Sequence, residues 1–517
     1  MEIKKILLRL CLVVSFGISA NAQKASNPLL FADVPDLSMI RVGNNYYMSS
    51  TTMHMNPGVP IMKSTDLVNW KLISYAYDTL GATDELTLNN GKSDYGRGSW
   101  ASSLRYQNGI YYVSTFSGTT GKTYIYSTTD LEKGKWKGVA FKPSLHDHSL
   151  FFDDDGKAYM VYGAGKIMLV ELNDDLSGIK PGAQPKVIIE NASLPAGPAI
   201  GLAAEGSQLF KINGQYYLFN ITWPKNGMRT VLVHRSAQLM GPYEGRVSLQ
   251  DQGVAQGGLI NTPQGNWFAY LFRDYGAVGR IPYLVPVSWA DGWPILGVNG
   301  KVPTTLDLPA SKGLIPGIVA SDDFSRKKGE PALPLVWQWN HNPVDLFWSV
   351  TERKGYLTLK TSRIDTNILS ARNILTQRTI GPRASGTTSI AISNMKDGDR
   401  AGLILLQRKF GWVGVKAGGG KKTVIMVNAE GTTVEGEVIP VGQKQVFLKA
   451  TCDFTNKTDK GYFSYSFDGK NWKAIGPPLQ MAYTLPHFMG YRFGLFNYAT
   501  QQVGGTVDFD FFNIRQE

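Results

Sequence analysis

Three carboxylates occupy one register of a repeat in this chain, and they are its best candidates for chemistry. Asp36, Asp147 and Glu205 each stand two residues ahead of a serine that opens an apolar run, in DLSMIRVGNNYY, DHSLFFDDDGKAY and EGSQLFKINGQYY. The same block recurs as ASSLRYQNGIYY from Ala101 and QGGLINTPQGNWF from Gln256. Taken singly, each acid reads as a turn residue bonded to the backbone. Three acids sharing one position of a five-fold repeat change that reading. If the repeats bring equivalent positions together, the like charges raise one another's pKa, an arrangement that is costly to build and useful for acid and base work.

The elements around these residues supply such convergence. Copies spaced roughly 50 residues apart, with β-branched and aromatic runs broken by Asn-Gly or Asp-Gly turns, predict four-stranded propeller blades. A second segment follows each copy: VPIMKSTDLVNW, KTYIYSTTDLEKGKW, GKIMLVELNDDLSG, RTVLVHRSAQLMGPY and GRIPYLVPVSWADGW. These read as outer strands. The fold class is therefore all-β, with a five-bladed β-propeller over residues 28–301 whose equivalent positions face one axis. Residues 302–318, VPTTLDLPASKGLIPGI, are Pro-rich and read as a linker without alternation. Short alternating strands over 319–517 lack the period of the first half and predict a separate β-sandwich.

The first 22 of the 517 residues, MEIKKILLRLCLVVSFGISANA, have a basic start, an apolar centre and a small-x-small end, the pattern of a secretory signal peptide. The expected location is periplasmic, secreted or cell-surface, with no membrane span. Cys11 falls inside that segment, which leaves Cys452 without a disulfide partner and stability to core burial. The formal charge of +12 is spread without a dense Lys/Arg run, which argues against nucleic acid as a partner. AGGGKKT at 417–423 lacks phosphate-loop spacing and reads as a glycine-rich hairpin. No G-x-S-x-G or H-E-x-x-H motif occurs, and the six histidines are scattered, so no catalytic metal is expected.

On the blocks PDLSMIRVGNNYY, HDHSLFFDDDGK and AAEGSQLFKINGQYY, and on GAVGRIPYLVPVSWADGWPILG, the sequence resembles glycoside hydrolase family 43. TTMHMNPGVPIMKSTDLVNW is most similar to subfamily 12, in which arabinofuranosidase activity is prominent. The resemblance implies a five-bladed propeller in which Asp36 is the general base, Glu205 the general acid, Asp147 the modulator of the acid's pKa and Arg280 a substrate-pocket residue. It also implies that Trp100 stacks on the sugar at the rim and that His54 hydrogen-bonds substrate. DDFS, WQWNHNP and DFDFFNIR are similar to the concanavalin-like sandwich that follows such propellers. Many members carry a histidine linked to a channel ion where this chain has Ala255, which puts a channel calcium in doubt. No cofactor is required. A structural calcium on Asp322, Asp323 and Asp508 stays open beside the simpler capping role.

The expected activity is that of an inverting exo-glycosidase releasing terminal α-L-arabinofuranosyl residues from plant polysaccharide or oligosaccharide. β-Xylosidase or dual activity is the alternative within that chemistry. A silent carbohydrate-binding propeller is the alternative outside it.

Overall fold

A computed structural model describes residues 24–312 and 317–517. The signal-peptide segment lies outside the described residues, as does 313–316 of the linker. Nearly all regular structure is β, and the helical pieces are three-residue 3₁₀ turns.

Five four-stranded antiparallel sheets follow one another along the chain, over 38–77, 103–141, 149–189, 200–249 and 255–296. Within each, the strand that begins the repeat lies at one edge. These inner strands touch in the cyclic order of the blades, and the fifth meets the first. The Asn-Gly turns behave as their sequence demands: Asn108 and Gly109 have φ of 50° and 81°, Asn213 and Gly214 of 50° and 77°. Two successive left-handed residues give the tight hairpin whose twist matches its strands.

The repeated serine has a structural purpose. The hydroxyl of Ser38 accepts a hydrogen bond from the Leu104 amide, Ser103 from Leu150, and Ser149 from Leu209, each at 3.1 Å. A small hydroxyl residue thus ties each of the first three blades to the next and holds the residue two places earlier at the axis. Ring closure relies on the segment before the first blade. Leu29 and Val34 donate their amides to Pro282 and Arg280 of the fifth, and the Asn27 amide side chain bonds both ways with Leu284.

The stretch expected to be a plain linker contains a strand, Thr305–Pro309, paired with Lys24–Ser26. Its TLDL core does alternate, with Leu306 buried between exposed Thr305 and Asp307, and the flanking prolines masked that short period.

Two larger sheets form the C-terminal sandwich. The hairpin reading of AGGGKKT is met, with Gly419 and Gly420 at positive φ between strands Gly411–Gly418 and Lys421–Asn428. Cys452 is buried in the core. One sandwich sheet is completed by Met55–Asn56, a two-residue strand from the loop inside the first blade, which pairs with Gln338–Asn340. Asp33 adds a second junction. Its carboxylate accepts the amides of Arg280 in the propeller (2.7 Å) and Gly490 in the sandwich (3.1 Å), while its carbonyl accepts Nε of the buried Arg378 (2.9 Å).

Candidate active site

One residue from each blade, Asp36, Ala101, Asp147, Gly206 and Gln256, lines a single small cavity on the propeller axis. Asp36, Asp147 and Gln256 are left-handed, with φ of 49°, 45° and 54°. In the fourth blade the left-handed residue is Gly206, at 67°, and Glu205 lies one position earlier within the long strand Ile200–Ile212. The shared register therefore holds in sequence but is offset by one residue in backbone conformation. Asp tolerates the left-handed region better than most side chains, which suits Asp36 and Asp147 to this bend.

Asp36 and Arg280 are both almost fully buried, and Arg280 Nη1 donates to Asp36 Oδ1 over 2.7 Å. Burial raises the Asp36 pKa above the ordinary carboxylate value, with Arg280 pulling it back. Nε and Nη2 of Arg280 have no protein partner. The guanidinium lies 5.3 Å from the ring centre of Phe272 and 5.0 Å from that of Phe488.

Beside Asp147, His146 Nε2 stands 2.9 Å from Glu205 Oε2. Burial pushes Asp147 up to about 7, opposed by His146 and aided by repulsion from Glu205 and Asp36. The hydrogen bond to Glu205 pushes His146 up to about 9, against its own partial burial. Ligating atoms of His146, Asp147 and Glu205 lie within 4.8 Å of one another, the only such cluster found among the described residues.

Trp100 is half-buried. Its ring meets Phe488 edge-on at 5.0 Å and stacks with Phe116 at 6.5 Å, and Phe116 in turn meets His146 at 5.4 Å. Farther along the axis Arg105 is half-buried, and its guanidinium donates to Ser149 Oγ (2.6 Å) and Gln208 Oε1 (3.3 Å). This fixed cation lies in the channel of a chain that has Ala255 where the resemblance would put an ion-linked histidine, and its charge opposes a second cation there.

Two family models match the chain. "Glycosyl hydrolases family 43" covers residues 25–294, and "Beta xylosidase C-terminal Concanavalin A-like domain" covers 321–515. The chain belongs to glycosyl hydrolase family 43. It is similar to a beta-xylosidase of Formosa agariphila, 29% identical over 94% of this chain and 89% of that protein. It is also similar to a non-reducing end alpha-L-arabinofuranosidase of Bacteroides ovatus, 28% identical over 74% of each. A solved structure described as a bifunctional GH43-CE protein of Bacteroides eggerthii is 65% identical with a TM-score of 0.94. That match covers 96% of this chain, which spans 64% of the other. This family 43 chain is thus a glycoside hydrolase built as a five-bladed propeller with a concanavalin-like sandwich.

His54 requires a correction. It is 1% exposed and faces the sandwich, with Nε2 3.1 Å from Asn340 Oδ1 and its ring against His341, His487 and Tyr95. The loop that was expected to reach substrate is instead drawn into the sandwich sheet, where protein covers the His54 side chain. The calcium candidates also have protein partners. Asp322 is held by Arg326 and Trp337, Asp508 by Arg353 and Thr358, and Asp323 bonds the amide of Ser325. Asp322 and Asp323 cap a local turn and Asp508 is ion-paired, and the three do not form a shared cluster.

Sequence reasoning passed over His146 and Phe488. His146 was visible as the residue before Asp147 in HDHS. Nothing in the sequence ties Phe488, two hundred residues beyond the propeller, to Arg280.

Proposed function

We propose that this family 43 glycosidase is inverting and exo-acting and that it removes terminal α-L-arabinofuranosyl residues from plant polysaccharide or oligosaccharide. The observation that carries this reading is the pairing of Asp36 with Arg280 in a small axial cavity shared with Asp147 and bordered by the His146–Glu205 pair. The exported location and the kinship with subfamily 12 belong to the same proposal.

In this scheme the leaving-group oxygen takes a proton from Glu205 as its bond to the anomeric carbon breaks. A water attacks that carbon from the opposite face and gives a proton to Asp36, so the configuration inverts. Arginine remains charged at every working pH, and its short bond to Asp36 favours the anionic base. Trp100 offers a ring face to the sugar. His146 and Glu205 together hold one transferable proton across 2.9 Å. As an imidazolium with a carboxylate, or as a neutral imidazole with a carboxylic acid, the pair carries the same charge. His146 is half exposed, so it can reload the pair from solvent after each turnover.

β-Xylosidase activity is the second reading, favoured by the naming of the Formosa relative and of the C-terminal family model. Release of nitrophenol from the α-L-arabinofuranoside and from the β-D-xylopyranoside tests both. Arabinofuranoside turnover with NMR-observed inversion is expected, and no turnover of either sugar would overturn the proposal.

A further inference from the structure

Between the propeller and the sandwich lies a cleft of about 1290 Å³, walled by residues 85–100 on one side and by 363–370, 408–410 and 485–488 on the other. Clefts for drug-sized ligands run to about 300–1,000 Å³, so this one has room for several sugar rings. Trp100 and Phe488 belong to its lining, and Phe488 also packs on Arg280. The cleft therefore begins where the scissile bond would lie. Tyr95 and Phe410 continue the aromatic surface, and Ile364 and Leu485 stand exposed at 56% and 66%.

The charges of the cleft are unbalanced. Lys92 faces Glu85 at 3.4 Å and Asp84 at 3.7 Å, and Arg363 is bound to Asp365 at 2.8 Å. Arg97 and Arg408 line the same space, are exposed, and have no carboxylate within salt-bridge reach among the described residues. Asp94, behind Arg97, is wholly buried and bonded to Thr119; its charge acts on Arg97 at a distance but makes no ion pair with it. Two forked cations over an aromatic floor match a carbohydrate that carries carboxylates, because the guanidinium fork pairs with a carboxylate through two parallel hydrogen bonds.

We propose that this cleft receives the aglycone and selects chains bearing uronic acid groups, whose carboxylates pair with Arg97 and Arg408. The inference rests on the glycosidase reading above and adds a substrate class to it. The test compares kcat/KM on three substrates with the same terminal sugar: a nitrophenyl glycoside, a neutral oligosaccharide, and an oligosaccharide of equal length carrying a uronic acid. Wild type should prefer the acidic oligosaccharide by roughly three- to tenfold, the scale of two partly exposed ion pairs. The preference should reside in KM and shrink in about 0.5 M NaCl, where charges are screened beyond a few Å. In the Arg97→Gln/Arg408→Gln variant the acidic-to-neutral ratio should fall to about one, and the Arg97→Lys/Arg408→Lys variant should recover part of it. A wild-type ratio of one, or a ratio that survives the double Gln change, overturns the proposal. Failure to cleave even the nitrophenyl glycoside would instead sink the glycosidase reading itself.

Discussion

Among the described residues, one ionisable cluster lies at the axis and another at the seam between the modules, and the same side chain behaves oppositely in them. At the top of the propeller axis His146 is pushed up to about 9. At the seam between the modules His341 and His487 are each pushed down to about 3, and His54 well below its ordinary value. Burial acts on all four in the same direction, disfavouring the cation. The difference is the company. His146 bonds Glu205 and lies beside Asp147, whereas His54 is lowered further by His341, His487 and Arg492, His341 by His487, and His487 by Arg492 and Arg408. The seam carries the cost as unpartnered nitrogens, His54 Nδ1, His341 Nδ1 and His487 Nε2. A charged cluster is retained where protons must move, and a neutral one where two modules must stay packed.

If this contrast is sound, substitutions at the axis should damage turnover, and Glu205→Gln should spare stability, whereas Asp36→Asn also leaves Arg280 buried without its counter-ion and should lower Tm. Asp36→Asn should cost the most, at least about 10³-fold in kcat with every leaving group, because water activation is always needed. Glu205→Gln should cost about 10²–10⁴-fold on oligosaccharides and less on aryl glycosides, whose leaving groups need little protonation. Steady-state kinetics on both substrate types, with thermal unfolding of each variant, check this. A Glu205→Gln enzyme equally impaired on aryl and natural substrates would remove it from the acid role.

The fold was largely legible because its information is local. Alternation and Asn-Gly turns are written within single blades, and the recurring serine marks where blades are tied. The acid register was legible for the same reason, although the left-handed shift to Gly206 was not. Contacts between modules leave no local trace. The strand Met55–Asn56, the approach of Phe488 to Arg280 and the enclosure of His54 depend on how two separate sheets meet, and no spacing within either encodes that. His146 was visible, but its importance required knowing that the Glu205 carboxylate comes within hydrogen-bond reach.

Within the charged cluster the pH profile gives a finer test. The basic limb of kcat/KM should reflect loss of the proton on His146 near pH 9, the value to which this residue is pushed. Asp147 helps hold that proton by its charge. Asp147→Asn should therefore move the basic limb to lower pH, and it should also remove any ionisation near 7 that belongs to Asp147 itself. His146→Gln should shift the limb in the same direction while retaining a hydrogen-bond donor to Glu205. An unmoved limb in both variants would reduce His146 and Asp147 to structural residues.

The smallest expected effect lies at the seam and concerns stability rather than rate. A histidine whose folded pKa lies near 3 and whose unfolded pKa lies near 6.5 binds protons in the unfolded chain that the folded chain refuses. Its contribution is fully present above about pH 6.5 and is lost progressively as pH falls toward 3. His487 stacks on Tyr95 at 5.1 Å, and its Nε2 has no partner. Phenylalanine there can keep the stack and cannot take up a proton. His487→Phe should change Tm little at pH 8, because no hydrogen bond is broken, and should flatten the fall in Tm between pH 6.5 and 4, the window set by these pKa values. Thermal scans of wild type and variant across that range measure it. A variant that loses Tm as steeply as wild type would show that His487 takes no part in the acid sensitivity of the seam, and the contrast between the two clusters would then rest on His54 and His341.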